Sequence, residues 1–573
     1  MSIFAEFEEL IRSCYQTLAQ KHNFTKEIDL SKLVVELPRD EAHGDLASNA
    51  ALVLAKLLKQ SPKELAELFV KELENTSSVS SAVIAGPGFI NIRLNKTRWA
   101  EEITSIIENG DDYGKNNIGS GQNVNIEFVS ANPTGPLHAA HARGAILGDV
   151  LANLMQFSGY HVIREYYVND SGSQIAKLSK SAFIRYREAL GEKPEAIPAG
   201  LYPGDYLIEV GHFLADNYGD SLKNLSGDEI TDKIGPITVD LMMESIKKDL
   251  ERLGIIMDIY SSESQLVKDG KVSLAMKNLQ RDNLIYLGEP EPPKGKLDED
   301  WEPREQLLFR SKEFGDDVDR PLQKSDNSWT YFASDVAYHY DKLERTGGRL
   351  IDILGADHSG YVKRMTAAVE AISGKLNMLQ VKQCGLVSLL DKGMPVKMSK
   401  RAGTFVTLSD VIDAVSSDVI RFVMLTRRND QPIEFDYAKV TEKSRENPVF
   451  YVQYAHARAR SVLRQNKKPS GEVNLSLLKD INEIRVIKQL SSWPKYVEAA
   501  TTHCEPHRIA FYLMELASVF HGLWNAGREN VDLKFIHDTD DDLTLARMLL
   551  VEATAQVIKS GLNLLSITAV EEM

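Results

Sequence analysis

The chain predicts an α/β protein: a parallel sheet in the middle, a small α/β unit before it and an all-α unit after it. Three observations carry this. A strand, loop, helix and strand follow one another over residues 124–168. Helical and strand periodicities alternate before residue 110. Only four of the 36 glycines lie beyond residue 430, where leucine and alanine recur at helical spacing. The boundaries expected are 1–112, 113–425 and 426–573.

In the first unit, "FAEFEELIRSCYQTLAQ" and "LASNAALVLAKLLK" each place apolar residues at helical spacing. "AGPGFINIRL" reads as a Gly-Pro turn feeding an alternating strand. The unit ends in the turn-rich "ENGDDYGKNNIGSGQ". In the second unit, "VNIEFV" (124–129) is a strand, and a helix follows to about Phe157. Gly159 stops the helix, and "HVIREYYV" (161–168) is the next strand. One helix joining two strands implies a parallel pair with a right-handed crossover. Ligands of such sheets bind at the carboxyl ends of the strands. Residues 171 to about 250 are mostly helical, and "GEPEPPKGKLDEDWEPRE" reads as a surface insertion. The sheet resumes with "LIDILGADHSG" and "VKQCGLVSLL".

Composition narrows the function. An apolar fraction of 43% and a mean hydropathy of −0.25 fit a soluble globular chain. No apolar run of about eighteen residues offers a membrane span. The N-terminus lacks the regions of a secretory signal, and Cys14, Cys384 and Cys504 form neither a CxxC pair nor a disulfide framework. A cytoplasmic protein is expected. A net charge of −15 argues against general polyanion binding, although a local basic face would suffice for a nucleic acid. One such run is "AHARARSVLRQNKK", with Arg458, Arg460, Arg464, Lys467 and Lys468; taken alone, it reads sooner as a solvated helix surface.

Neither a Walker loop nor GxGxxG is present, and HExxH is absent too. "SANPTGPLHAAHAR" (130–143) nevertheless has the parts of a phosphate site. Its loop reaches a helix N-terminus, where free N–H groups and the dipole favour anions. His138 and His141 stand three apart on one face of the first turn. Alone, the pair could also pack a core or ligate a metal, but no third ligand is offered locally. Downstream, Lys397-Met398-Ser399-Lys400 forms a loop whose lysines and hydroxyl suit a triphosphate.

"PLHAAH" and "KMSK" resemble the two signatures of class I aminoacyl-tRNA synthetases. The surrounding sequence is similar to the bacterial arginyl-tRNA synthetase family, through "SANPTGPLH", "YVNDSGSQI", "YPGDYL", "DIYSSES", "TYFASDVAYHYDK", "GADHSGYVKR", "KMSKRAGT" and "RENPVFYVQYAHAR" in the family's order.

The resemblance implies a Rossmann-like catalytic domain, an N-terminal unit touching the tRNA elbow and a helical anticodon-binding domain. It implies an arginine–tRNA ligase that makes arginyl-adenylate from ATP and transfers arginine to its cognate tRNA. His138, His141, Lys397 and Lys400 would then be catalytic. Pro133, Gly135, His138, Ala140, His141, Met398, Ser399 and Lys400 would line ATP. Arginine would meet Glu127, Asn132, Tyr331, Asp335, Glu263 and His358, since a guanidinium fork matches carboxylates. Tyr454 and Arg458, four apart on a helix, would meet tRNA bases. Magnesium is expected with the nucleotide, with no permanent cofactor, no structural metal and no membrane partner; a monomer is expected. Two departures stand out: Ala140 replaces the family's usual glycine, and Arg401 ends the second signature. A small-molecule nucleotidyltransferase would not need the helical end. A silent tRNA-binding paralogue would not need intact signatures.

Overall fold

The structure is a computed structural model describing residues 2–22, 24, 29–38, 40–193, 196–291, 304–324, 326–356, 359–396, 406–442, 447–465, 473–537 and 539–573. His358, Lys397, Met398, Ser399, Lys400, Arg401, Lys467 and Lys468 lie outside the described residues, as does most of the expected insertion.

The N-terminal unit packs helices Ile3–His22, Ala50–Leu58 and Pro62–Leu73 on a four-stranded antiparallel sheet. "LASNAALVLAKLLK", expected to be one helix, divides. Leu46–Ser48 pairs with the strand Phe89–Leu94, and the helix begins at Ala50. Three apolar and small residues carry too little periodicity to reveal such a strand.

The central sheet contains β1 (Asn123–Glu127), β2 (His161–Val168), β3 (Ile259–Ser262), β4 (Arg349–Gly355) and β5 (Leu379–Cys384). Their order is β5-β4-β1-β2-β3, and every pairing is parallel, as a crossover unit demands. Helix α1 (Ala139–Phe157) joins β1 to β2. It crosses β1 closely at Gly148, where a Cβ would stand 2.2 Å from Phe128. Three helices follow β2: α2 (Gly172–Ala189), one over Tyr206–Tyr218, and α3 (Asp228–Arg252). Helix α4 (Tyr331–Thr346) starts where Thr330 Oγ1 accepts the Ala333 amide and stops at left-handed Gly347. Next comes α5 (Ser359–Ser373). The insertion leaves Ile285–Gly288 and returns on Gln306–Phe309, two antiparallel neighbours.

"VKQCGLVSLL" does not continue as one strand. The chain leaves the sheet at Gly385, where a Cβ would sit 2.5 Å from the Gln431 carbonyl oxygen. Val387–Asp391 pairs instead with Ile433–Asp436, a strand inside the region expected to be all helical. Helices α6 (Pro448–Gln465), α7 (His507–Glu529) and α8 (Asp541–Leu564) then dominate. The C-terminal helices meet the N-terminal unit, where Lys488 pairs with Asp45 at 2.8 Å, and the segment just after it, where Trp493 donates its indole N–H to the Tyr113 carbonyl at 3.0 Å. No helix among the described residues is long and apolar enough to cross a membrane.

Candidate active site

The loop after β1 opens with Val129 (φ 69°) and Ser130 (φ 38°), a left-handed turn disfavoured for side chains with a Cβ. It is held from both sides. Ser130 Oγ donates to Glu127 Oε1 at 2.9 Å and accepts the Tyr167 amide at 3.0 Å. Tyr166 donates to the Ala131 carbonyl at 2.7 Å, and Tyr206 to that of Thr134 at 2.6 Å. Gly135 lies against the Tyr206 ring, 2.9 Å from where a Cβ would stand, and Pro133 is buried beside it.

This loop delivers His138 to the N-terminus of α1. The His138 amide donates to His141 Nδ1 at 3.2 Å, and the two rings stack at 3.7 Å. Both are half-buried. Among the described residues no cluster of three potential metal ligands forms. Thr407 bridges to His138, and the Leu408 amide donates to the Leu137 carbonyl at 2.8 Å. The chain just beyond the lysine loop therefore lies beside the histidine pair. Ala140 is half-buried and touches the core. One turn on, a Cβ at Gly144 would meet nothing within 4 Å, so this side of α1 is open.

Carboxylates around the end of β1 form two sets. Asp352, Glu127 and Glu165 are register neighbours on β4, β1 and β2, making a buried row. Helix α4 answers it with cations. Lys342 Nζ lies 2.7 Å from both Glu127 Oε2 and Asp352 Oδ1, and is fully buried. Arg345 reaches Glu165 at 2.8 Å, and His339 Nε2 lies 2.9 Å from Asp352 Oδ2. Tyr338 Oη is 2.9 Å from Glu127 and 3.1 Å from Glu165. Burial opposes ionisation of Asp352 and Glu165, but these partners hold both below the usual carboxylate range.

Asp335 and Glu263 form the second set, and their partners are hydroxyls. Tyr361 hydrogen-bonds Asp335, and Ser171 donates to Glu263 at 2.8 Å. Burial, reinforced by Glu263 and Glu127, pushes Asp335 up to about 6. Glu263, 6% exposed, is raised by burial and by Asp170. Asp170 itself accepts from Ser262, Ser264 and the Ser264 amide. All four acids raise the hydroxyl of Tyr167, itself raised foremost by burial. Among the described residues no lysine or arginine pairs with Asp335 or Glu263. A buried and a half-buried carboxylate with no lysine or arginine against them are chemically suited to receive a cation.

The other expected ligands stand nearby. Tyr331 is 69% exposed, and its hydroxyl lies 3.7 Å from where a Gly172 Cβ would project. Asn132 Nδ2 donates to Gln174 at 3.0 Å. Glu127 commits both oxygens to the protein.

On α6, Arg458 donates to Tyr454 Oη at 2.9 Å and lies 4.4 Å over its ring and 4.5 Å over Trp524. Its other nitrogen is 2.9 Å from His521 Nδ1. Beside this stack, a cavity of about 430 Å³ is lined by Tyr451, Ser518, His521, Gly522 and Asn525. The rest of the basic run is not one free face. Arg460 pairs with Glu571 at 2.8 Å, and Arg464 with Glu571 and Glu572.

Three family models match in order: the arginyl tRNA synthetase N terminal domain at 5–94, the catalytic domain of class I (R) tRNA synthetases at 102–442, and the DALR anticodon binding domain at 452–573. The chain is 49% identical to the arginine–tRNA ligase of Rhizobium meliloti over 584 residues and 51% identical to that of Cereibacter sphaeroides over 581, in each case across 100% of both chains. This chain belongs to the arginyl-tRNA synthetase family. Its fold follows that of the Thermus thermophilus arginyl-tRNA synthetase, with a TM-score of 0.77 at 20% identity over 100% of both chains.

Sequence reasoning missed several members of the site: Lys342, Tyr338, His339, Arg345, Ser171, Tyr361 and Tyr206. A signal existed for three. Asp335, Tyr338, His339 and Lys342 are spaced i, i+3, i+4 and i+7, one continuous helical face inside "TYFASDVAYHYDK". Arg143, buried and donating to the carbonyls of Gly385 and Arg428, had no such signal.

Proposed function

We infer that this chain is an arginine–tRNA ligase, activating arginine with ATP and passing it from the adenylate to the 3′ end of cognate tRNA. The observation that carries the choice of amino acid is the Asp335–Glu263 pair, acidic and shielded from water, with no lysine or arginine against it among the described residues. A guanidinium supplies a delocalised charge and a fork of donors to two such acids, whereas a neutral amino acid would leave them uncompensated.

Around this pair, Tyr331 and His358 would border the arginine side chain. Asn132 would take its polar end, and Glu127, already paired with Lys342, would contribute charge at a distance. The adenine would lie over α1 at Ala140 and Gly144, with Pro133 and Gly135 shaping the loop. His138 and His141 would donate to phosphates at the helix N-terminus, where the dipole also favours anions. Lys397, Met398, Ser399 and Lys400 would close over the triphosphate, with Lys400 meeting the charge that builds on departing pyrophosphate. Chemistry of this kind is positioning and electrostatics. The α1 start offers donors, not oxygen ligands, so magnesium would be held by the phosphates and would neutralise them.

Tyr454 and Arg458, beside their cavity, offer a stacking platform for unpaired bases. The N-terminal unit, fixed on the C-terminal helices through Lys488 and through Lys495, which donates to the Val35 carbonyl, would meet the tRNA elbow at a set distance from that platform. We take 1–112, 113–425 and 426–573 as the working units. A monomer in the cytoplasm is the proposed state; all three cysteines are buried and free, as a reducing compartment would leave them. The test is ATP–pyrophosphate exchange with each amino acid, with and without cognate tRNA. Exchange dependent on arginine supports the reading, and exchange driven equally by lysine or citrulline would overturn it.

A further inference from the structure

His339 is 4% exposed and carries no role in the reading above. Its two ring nitrogens face two acceptors. Nε2 lies 2.9 Å from Asp352 Oδ2, and Nδ1 lies 2.8 Å from the backbone carbonyl oxygen of Asp335, one turn earlier on α4. A carbonyl cannot donate. Asp352 cannot donate either, because the Lys342 ammonium at 2.7 Å keeps it ionised. Both hydrogen bonds therefore require protons on both ring nitrogens. A neutral imidazole would leave one nitrogen lone pair against an oxygen lone pair in a dry interior, which is costly.

The charge count agrees. Asp352, Glu127, Glu165 and Asp341, which shares Arg345, bring four negative charges, against which Lys342, Arg345 and Lys271 bring three positive ones. An imidazolium would balance the row.

We propose that His339 is held as an imidazolium and is a positioning residue of the amino-acid pocket, tying the Asp335 turn of α4 to Asp352 of β4. The inference rests on the reading that Asp335 receives the guanidinium. His339 touches no substrate. It fixes the backbone from which Asp335 projects, so its loss should weaken arginine and spare ATP. The groups facing its ring are Asp352 from β4, Glu127 from β1, and Lys342, Asp335 and Tyr338 from α4. Burial and Lys342 oppose the charge; Asp352 and Glu127 outweigh them and set His339 above the ordinary imidazole value of 6.5. The tie is therefore complete below that value and loosens only as pH rises through the raised one.

The test is nitrogen NMR of the full chain with labelled histidine. The His339 signal among 13 is assigned by its absence in His339→Gln, or by its shift in Tyr338→Phe, whose ring lies 5.3 Å away edge-on. We expect both ring nitrogens protonated at the pH where a free imidazole is half neutral, about 6.5. A neutral tautomer there overturns the proposal, whether or not the glutamine variant folds. In kinetics, His339→Gln should raise the arginine KM about tenfold, equivalent to about 1.4 kcal/mol, and leave the ATP KM within about twofold. If Asp335→Asn weakens arginine while His339→Gln does not, the positioning role fails and the pocket reading stands. If Asp335→Asn itself spares arginine, the pocket reading fails.

Discussion

The two sets of acids around the end of β1 have the same chemistry and opposite surroundings. Asp352, Glu127 and Glu165 sit in a row with Lys342, Arg345 and His339 against them, and Asp352 and Glu165 are held below the usual range. Asp335 and Glu263, also close to the row, meet hydroxyls and are raised. The row is finished by the protein itself. Among the described residues no lysine or arginine finishes the pair. Burial alone does not mark a binding residue; burial without a counter-charge does.

The sharpest way to break this comparison is through the row. Lys342→Met would strand Glu127 and Asp352 in the interior and should cost about 3–5 kcal/mol of stability, enough to prevent folding at physiological temperature. A melting temperature close to that of the unaltered chain would show the row to be hydrated and the contrast false.

Neutralising one acid from each set should then move stability in opposite directions. Glu165→Gln removes a paired charge and should cost about 1–2 kcal/mol, a fall of about 1–2 °C in melting temperature for a chain of this size. Glu263→Gln removes an unpaired buried charge and should leave stability unchanged or slightly higher, while raising the arginine KM about tenfold. Equal destabilisation by both variants would erase the distinction.

Titration sharpens it further. Asp335 in the free protein has its value raised from 3.8 to about 6, so ionising it works against the fold as pH rises between those values. Arginine needs the ionised form, and its affinity should fall as pH drops through about 6. Binding near that pH should release protons, seen calorimetrically as a heat that depends on the buffer. Binding that takes up protons there would contradict the assignment.

The smallest effect on the pocket should come from the far end of the chain. Tyr454→Ala with Arg458→Ala should raise the tRNA KM about tenfold or more, as stacking losses suggest, with arginine and ATP constants unchanged. Unaltered aminoacylation at sub-saturating tRNA would return both residues to a structural role.

Much of this was legible in the chain. The run from residue 124 to 168 announced a parallel pair and the loop that opens its helix because periodicity, the Gly159 stop and the signature agreed. Asp335 and Glu263 were singled out by resemblance to a family. What periodicity cannot give is register. That Asp352, Glu127 and Glu165 lie side by side follows from strand pairings between residues far apart in sequence, and so does the need for Lys342. The split at Gly385 was hidden for the same reason, since the obstacle there is the Gln431 carbonyl. Leu46–Ser48 was hidden because so short a strand borrows its identity from its partner.

The most direct test of the central claim is Asp335→Asn in pyrophosphate exchange, with KM measured for arginine and for ATP on the same preparation. Loss of a charged partner for a desolvated guanidinium should raise the arginine KM about a hundredfold, about 2.7 kcal/mol, and leave the ATP KM within about twofold. Equal rises in both constants, or none in that for arginine, would contradict the assignment of this acidic pair as the arginine receptor.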